Sequence, residues 1–557
     1  MGYCVTETLR DKHLPPAAAV VREFRQILMW PLHLLPANSA DHRRVPRDAL
    51  HGSLCAAGWQ PFVSAFAGDQ GRFSERHYKE FVSFLPQAQR FLYGESRVQM
   101  DSADEGQSAL SAFRRTDIQQ LRIVLREGSA PVQLQVERIE LCLLADVDVA
   151  ILQVEVHTRN LPLATAQDLL YRFGRAYPTG WDEDGHGVHN ALRVEWLSAD
   201  GRVLASSDAD QREKFLKFTV EHRAPTISSH WSFLLEPLVL EPTPHSGLLR
   251  YRQIETHRMP LLAYLATDNP RSLTQENWVR LGLVTTLHPN EAIPVQSPEV
   301  VEFVPRYCYD RYWSDSDAGP NTRFLCSGRA LLVVGDASSE VFLDAERGIL
   351  AQFRHQYRLL FMVNHFHRAT LLLFSQLMAD AIQHMDTASP DSVRRFKRRV
   401  RSGFETFLRF THRYWFHELS EISHLQAIYR LCATRLGNDT LYSEIKSEMR
   451  EMIDYLDSDA QRRQSTTVMR LTVVTTLSLV GTVATGFLGM NIFADADSPL
   501  IDRTLFFLMA LFGTALLTGY AVVKSKRLAD MLDALSDETL QGWGRVKAIY
   551  GAWRGDQ

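Results

Sequence analysis

The sequence predicts an α/β cytoplasmic body, long stalk helices and two C-terminal transmembrane helices, and three observations carry that prediction. Strand-like alternation fills the middle of the chain, helical periodicity takes over after Gly335, and nearly all the strong hydrophobicity sits in two segments near the C-terminus. At 557 residues the chain is longer than one domain. Its 45% hydrophobic and 23% charged content, with a net charge of -4, excludes disordered, collagen-like and disulfide-scaffold classes. Cys4, Cys55, Cys142, Cys308, Cys326 and Cys432 are scattered, without a CxxC pair or histidines at zinc-site spacing, so reduced thiols in a reducing cytosol are expected.

Residues 1–117 read as an N-terminal subdomain of unknown role. Apolar stretches such as Phe24 to Leu35 are interrupted by Pro31 and follow no clean period. No charged n-region with an apolar h-region opens the chain, and the loose myristoylation match at Gly2 is superfluous for a protein with two spans. Residues 118–345 read as a mixed α/β cytoplasmic domain. Val132, Leu134 and Val136 alternate, Val147 to Val156 continue in strand fashion, and Asp200-Gly201 is a two-residue hairpin signal. Trp231 to Leu240 and Ala330 to Val334 are further expected strands.

Residues 346–467 read as stalk helices. Helical spacing runs from Glu346 to Met385, and Ser389 with Pro390 caps a second helix through Phe396, Val400 and Phe407 towards Leu436. Gly437-Asn438 closes it, and a third helix starts at Asp439 or Thr440. With no Gly or Pro from Thr440 to Val480, the third helix is expected to continue to Asn491, about 75 Å.

Residues 468–523 read as a two-helix transmembrane domain with an outer loop at 492–503. Neither 471–494 nor 504–523 contains a charge, and roughly 20 apolar residues cross a bilayer core. Arg462, Arg463 and Arg470 precede the first span, and Lys524, Lys526 and Arg527 follow the second, whereas the loop carries Asp495, Asp497 and Asp502 against Arg503. The positive-inside rule therefore predicts a multi-pass protein of the inner (plasma) membrane with both termini cytoplasmic. Residues 524–557 form a basic segment and cytoplasmic tail.

The first span is rich in hydroxyls. Leu471, Thr475, Ser478, Thr482 and Gly486 fall on one helical stripe, which suits either a water-filled ion path or a dry interhelical contact. That span ends Thr482-Val483-Ala484-Thr485-Gly486-Phe487-Leu488-Gly489-Met490-Asn491, and this segment, with an acidic loop, a second span and a Lys/Arg cluster after it, resembles the CorA superfamily of divalent-cation channels and transporters.

The resemblance implies a funnel, a homopentamer for the most part, whose first spans line the axis. It implies that Gly489, Met490 and Asn491 form the outer mouth, with a ring of Asn491 carbonyls receiving a hydrated cation. Gly486, Thr482, Leu479, Thr475, Leu471 and Val468 would line the path below. Oxygens that hydrogen-bond a hydration shell suit Mg²⁺, which sheds water reluctantly, and apolar rings can gate by dewetting. Two departures stand out: Leu488 replaces the family's frequent aromatic before the glycine, and Ala494 to Pro499 replaces its Met-Pro-Glu loop. These leave Zn²⁺, Co²⁺ or Ni²⁺ open as cargo.

In the stalk, Glu444, Glu448, Glu451, Asp454 and Asp457 recur at helical spacing, as any solvated face would. The resemblance gives Asp454 a regulatory Mg²⁺ role. Six cations between Arg394 and Arg401 read as a solvated helix face, with no nucleic-acid partner expected. The loop Asp182 to His189 is polar and Gly-rich, and His365 and His367, two apart on a helix, cannot chelate together. No phosphate loop, nucleophile elbow or HExxH is present, so an enzyme is not expected. The expected function is Mg²⁺ influx through an oligomer, driven by membrane potential and gated by cytoplasmic metal. The rival is a signalling effector whose enlarged cytoplasmic domain binds a messenger or partner.

Overall fold

The computed structural model describes residues 19–36, 47–62, 74–94, 110–144, 146–243, 249–285, 298–313, 321–383, 385 and 389–489, with positions 499, 501, 504–505, 508–509, 512–513, 516 and 520. The chain divides into two compact units, Met1–Ser447 and Glu448–Gln557.

One fourteen-stranded mixed sheet organises the first unit. Its strands are β1 (Val20–Pro36), β2 (Trp59–Pro61), β3 (Leu110–Arg115), β4 (Gln120–Val124), β5 (Val132–Leu144), β6 (Val149–Pro162), β7 (Arg193–Leu197), β8 (Val203–Ser206), β9 (Val239–Leu240), β10 (Leu249–Gln253), β11 (Leu261–Thr267), β12 (Cys308–Tyr309), β13 (Arg323–Cys326) and β14 (Ala330–Asp336). The main path runs β12-β13-β14-β11-β1-β6-β5-β4-β7-β8. β11 and β14 are parallel, while β1 is antiparallel to β6, β10 and β11.

The boundary expected at 117/118 does not separate folding units, because β1 lies in the middle of this sheet. Its absent period has a physical cause. Phe24, Ile27, Leu28, Met29, Trp30 and Leu32 are all buried, so both faces of the strand are covered and no alternation is selected. Pro31 is tolerated because β11 pairs with β1 only up to Leu28 and β10 takes over at Leu32. β6 pairs across it at Ile151, but the missing N–H falls on the opposite edge, where Met29 N–H reaches Pro260 and the gap between β11 and β10 asks for no ladder bond at 31.

The Asp200-Gly201 signal produces the β7–β8 hairpin, with Gly201 at φ +81°. The strand expected over Trp231 to Leu240 is a correction: Ser229–Leu235 is a helix, followed by two-residue β9. His230, Trp231, Leu234 and Leu235 are buried together, and a short run covered on several sides shows no helical stripe.

Four later helices complete the first unit and lead out of it. α1 (Arg358–Gln383) packs on β1 and β6 and against α2 (Pro390–Arg413) and α3 (Ser423–Leu436). The Ser389 hydroxyl accepts from Ser392 N–H, capping α2. α2 stops at Arg413 instead of continuing to Leu436. Tyr414, Trp415 and Phe416 are consecutive and all buried, which no single face of a surface helix can arrange. Gly437 at φ +69° ends α3, and α4 (Asn438–Gly489) follows without a break. Its root is held in the first unit: Tyr442 stacks on Trp415 at 4.4 Å, and the Asn438 amide donates to the Asn364 carbonyl.

Candidate ion path and regulatory groups

α4 carries every described residue of the expected path. Val468, Leu471, Thr475, Leu479, Thr482 and Gly486 are exposed in the single chain, along one stripe of 3- and 4-residue steps, while Val473 and Gly481 are buried. The threonines donate to their own helix: Thr472 to the Val468 carbonyl at 2.9 Å, Thr475 to Leu471 at 2.9 Å, Thr482 to Ser478 at 2.8 Å and Thr485 to Gly481 at 2.9 Å. Each hydroxyl proton is thus committed within the helix, leaving oxygen lone pairs to point outward. This satisfies the donor in a lipid setting and presents acceptors, the polarity a cation needs.

Gly489 is the last residue of α4. Met490, Asn491, Asp495, Asp497, Asp502, Lys524, Lys526 and Arg527 lie outside the described residues. Among the described positions after 500, Ile501, Leu505, Leu508, Met509, Phe512, Leu516 and Tyr520 are helical and 56 to 76% exposed. A contiguous apolar face of that kind calls for lipid or neighbouring helices. Among the described residues no helix is long and apolar enough to cross a membrane, and both expected spans run partly through residues outside that set.

Asp454 is exposed, as are Glu444, Glu448, Glu451 and Asp457. Of the basic run, Arg394, Arg395, Arg398, Arg399 and Arg401 are exposed and Phe396 and Val400 are buried, which is an ordinary amphipathic helix. In the Asp182 to His189 loop, Asp184 and His186 meet Glu127 with ligand atoms within 4.8 Å of one another. Glu127 and Asp184 are exposed, and such acidic groups are common at surfaces.

Sequence reasoning missed the charge network under α1. Glu155 is fully buried in β6, with Arg138 Nε at 2.6 Å and Arg25 Nη1 and Arg354 Nε each at 3.4 Å. Burial alone would push the Glu140 carboxyl up, but Arg358, Arg138 and Arg114 outweigh it and hold it at about 2. A π turn, Phe353–Tyr357, carries Arg354 into this cluster, and Arg358 Nη1 reaches Gln153 Oε1 at 2.9 Å. The available signal was a set of polar residues interrupting apolar strands, the carboxylates Glu140 in β5 and Glu155 in β6 and the amide Gln153 in β6.

His365 and His367 are buried on α1. His367 Nε2 lies 2.6 Å from the Tyr414 carbonyl, and burial pushes both rings down to about 3, leaving them neutral. Comparison with known protein families, characterised proteins and solved structures finds no match.

Proposed function

We propose that the chain is a subunit of an oligomeric membrane channel or transporter for divalent cations, of the CorA type, carrying Mg²⁺ inward and gated by cytoplasmic metal. The observation that carries this reading is α4: one helix from Asn438 to Gly489 with its hydroxyl protons turned back onto its own carbonyls. A protomer with one polar stripe cannot enclose a path alone, since lipid would then face Thr475 and Thr482, so several copies share an axis. Asn491, two residues past the end of α4, supplies the amide oxygen that receives the hydrated ion. Leu479, Leu471 and Val468 form the apolar constriction below. Inward movement needs no ATP, because about 100 mV across two charges is worth roughly 4.6 kcal/mol. Metal bound beside Asp454 neutralises carboxylates at subunit contacts and favours the closed ring.

The test is uptake by proteoliposomes holding the purified protein alone, comparing Mg²⁺, Zn²⁺, Co²⁺ and Ni²⁺, with its mass measured in mild detergent. The expected result is a symmetric oligomer that takes up Mg²⁺ and loses uptake in Asn491→Ala with assembly intact. A monodisperse monomer, or Mg²⁺ flux unchanged in Asn491→Ala, refutes the reading, whereas Asn491-dependent preference for Zn²⁺, Co²⁺ or Ni²⁺ reassigns the cargo.

A further inference from the structure

The two-residue turn joining β13 to β14 closes with Ser327 N–H donating to the Ala330 carbonyl at 3.0 Å, and Gly328 sits in it at φ +85°. A Cβ at Gly328 would lie 2.8 Å from the Arg435 carbonyl oxygen. Only glycine lets the turn seat so closely on the last residues of α3. Between this turn, the segment 254–256, α1 and the end of α3 lies a cavity of about 550 Å³.

The cavity's charged lining is Arg329, Arg368 and Arg435 against a single carboxylate, Glu255. Arg368 is committed, with Nε 3.3 Å from Glu255 Oε1 and Nη1 donating to the Leu436 carbonyl. Arg435 stacks over Tyr307 at 5.3 Å, a contact that uses the guanidinium face, and its buried Nε has no hydrogen-bond partner. Among the described residues neither Arg329 nor Arg435 forms an ion pair within 4.0 Å, although Arg329 acts through its charge on Glu255. The fully buried ring of His365 also lines the cavity, its hydrogen bond directed at the Gly328 carbonyl of the turn. A buried guanidinium N–H such as Arg435 Nε is costly to leave without a partner, and a bound guest would complete it.

A second observation points the same way. Arg329 also stands near a cationic cluster of this same chain, where Arg175 Nη1 lies 2.8 Å from His257 Nε2, and Arg175 and Arg258 flank the Tyr171 ring at 4.4 and 5.6 Å. Burial, Arg175 and Arg329 together hold Arg258 down to about 10, and no carboxylate counters them. Positive charges that outnumber the one acid beside them, Glu255, define a place for an anion.

We propose that this cavity binds a small phosphate-bearing molecule, its phosphate held by Arg329 and Arg435. Two guanidinium forks from separate segments, neither held in an ion pair, suit a tetrahedral anion, where a lone carboxylate would engage one fork only. The volume exceeds that of a bare phosphate and falls in the range of small-molecule sites, with Ile254 and Leu372 as apolar walls for the organic part. The inference stands independently of the ion-path reading.

The experiment is isothermal titration of the full-length protein in detergent with AMP, ribose 5-phosphate and inorganic phosphate, and with adenosine as the phosphate-free control. Saturable binding of a phosphate-bearing probe without binding of adenosine is expected. Preference for an ester identifies the organic part as recognised, and equal affinities identify free phosphate as the ligand. Arg329→Ala and Arg435→Met, each matched to wild type in thermal unfolding, should weaken binding at least tenfold, about 1.4 kcal/mol. Asn491→Ala should bind normally, so loss of transport and loss of this site are separable. No saturable heat from any of the three phosphate probes at millimolar concentration overturns the proposal, as does binding that survives in the double variant Arg329→Ala/Arg435→Met.

Discussion

Mild acid should loosen the body of this protein well before its carboxylates titrate. Burial pushes His230, His365 and His367 down to about 3, and each is 3% exposed or less. The surrounding groups do not reverse this: Asp208 raises His230 and the Gly328 and Tyr414 carbonyls raise His365 and His367, each less than burial lowers them, while Arg368 and Arg329 oppose protonation of His365 and His417 that of His367. In the unfolded chain a histidine titrates near 6.5. Between about pH 6.5 and 3 the unfolded state therefore binds protons that the native state refuses, and stability rises with pH across that window. Relative to pH 8, where both states hold neutral rings, the loss by pH 5.5 is about 1.4 kcal/mol per ring and about 4 kcal/mol for three, a large share of a typical 5–15 kcal/mol. Glu140, held at about 2, adds its own loss only below about pH 4.5. Urea unfolding followed by tryptophan fluorescence reads the first unit, since eight of the ten tryptophans lie between Trp30 and Trp415. The midpoint should fall steeply from pH 7 to 5.5, with His33 and His257, held at about 4, adding to the fall, and His365→Phe should recover about 1.4 kcal/mol of it. A midpoint that is level over this range would refute the burial argument.

The remaining expectations concern the path, a close contact and the stalk. Thr475→Val and Thr482→Val should lower metal uptake while leaving the oligomer intact by mass; if assembly fails instead, the stripe is a dry helix contact. Gly335→Ala should lower the melting temperature by several degrees, because its Cβ would meet the Phe342 ring at 2.2 Å and that ring is stacked on Tyr264 at 4.5 Å, which leaves about 1–3 kcal/mol of overpacking. Asp454→Ala should leave transport active and shift inhibition to higher internal Mg²⁺; superimposable inhibition curves would mean the residue only decorates a solvated face.

Local chemistry was legible because it acts over a few residues. Ser389-Pro390 starts α2, Gly437 ends α3 and Gly201 turns the β7–β8 hairpin, each through a backbone requirement that neighbouring residues cannot mask. The uninterrupted course of α4 was likewise readable, from 52 residues in which no proline and no early glycine breaks the helix. The candidate path was readable as a pattern, since hydroxyl spacing along one helix is a property of that helix alone.

Burial on both faces erases such patterns. β1 looked irregular because sheet neighbours on either side and packing above and below left no solvent face to impose alternation, and the α2–α3 break was hidden because Tyr414, Trp415 and Phe416 are apolar whichever way the chain turns. The charge network around Glu155 and the basic cavity were further out of reach. Arg25, Arg138, Arg354 and Glu155 come from separate strands and a helical turn, and Arg329, His365, Arg368 and Arg435 from a hairpin and two helices. Helix ends and turns are written within a few residues, because those signals are local. Which charges lose their water and face one another follows from closing the chain over hundreds of residues, and no spacing along the sequence records it.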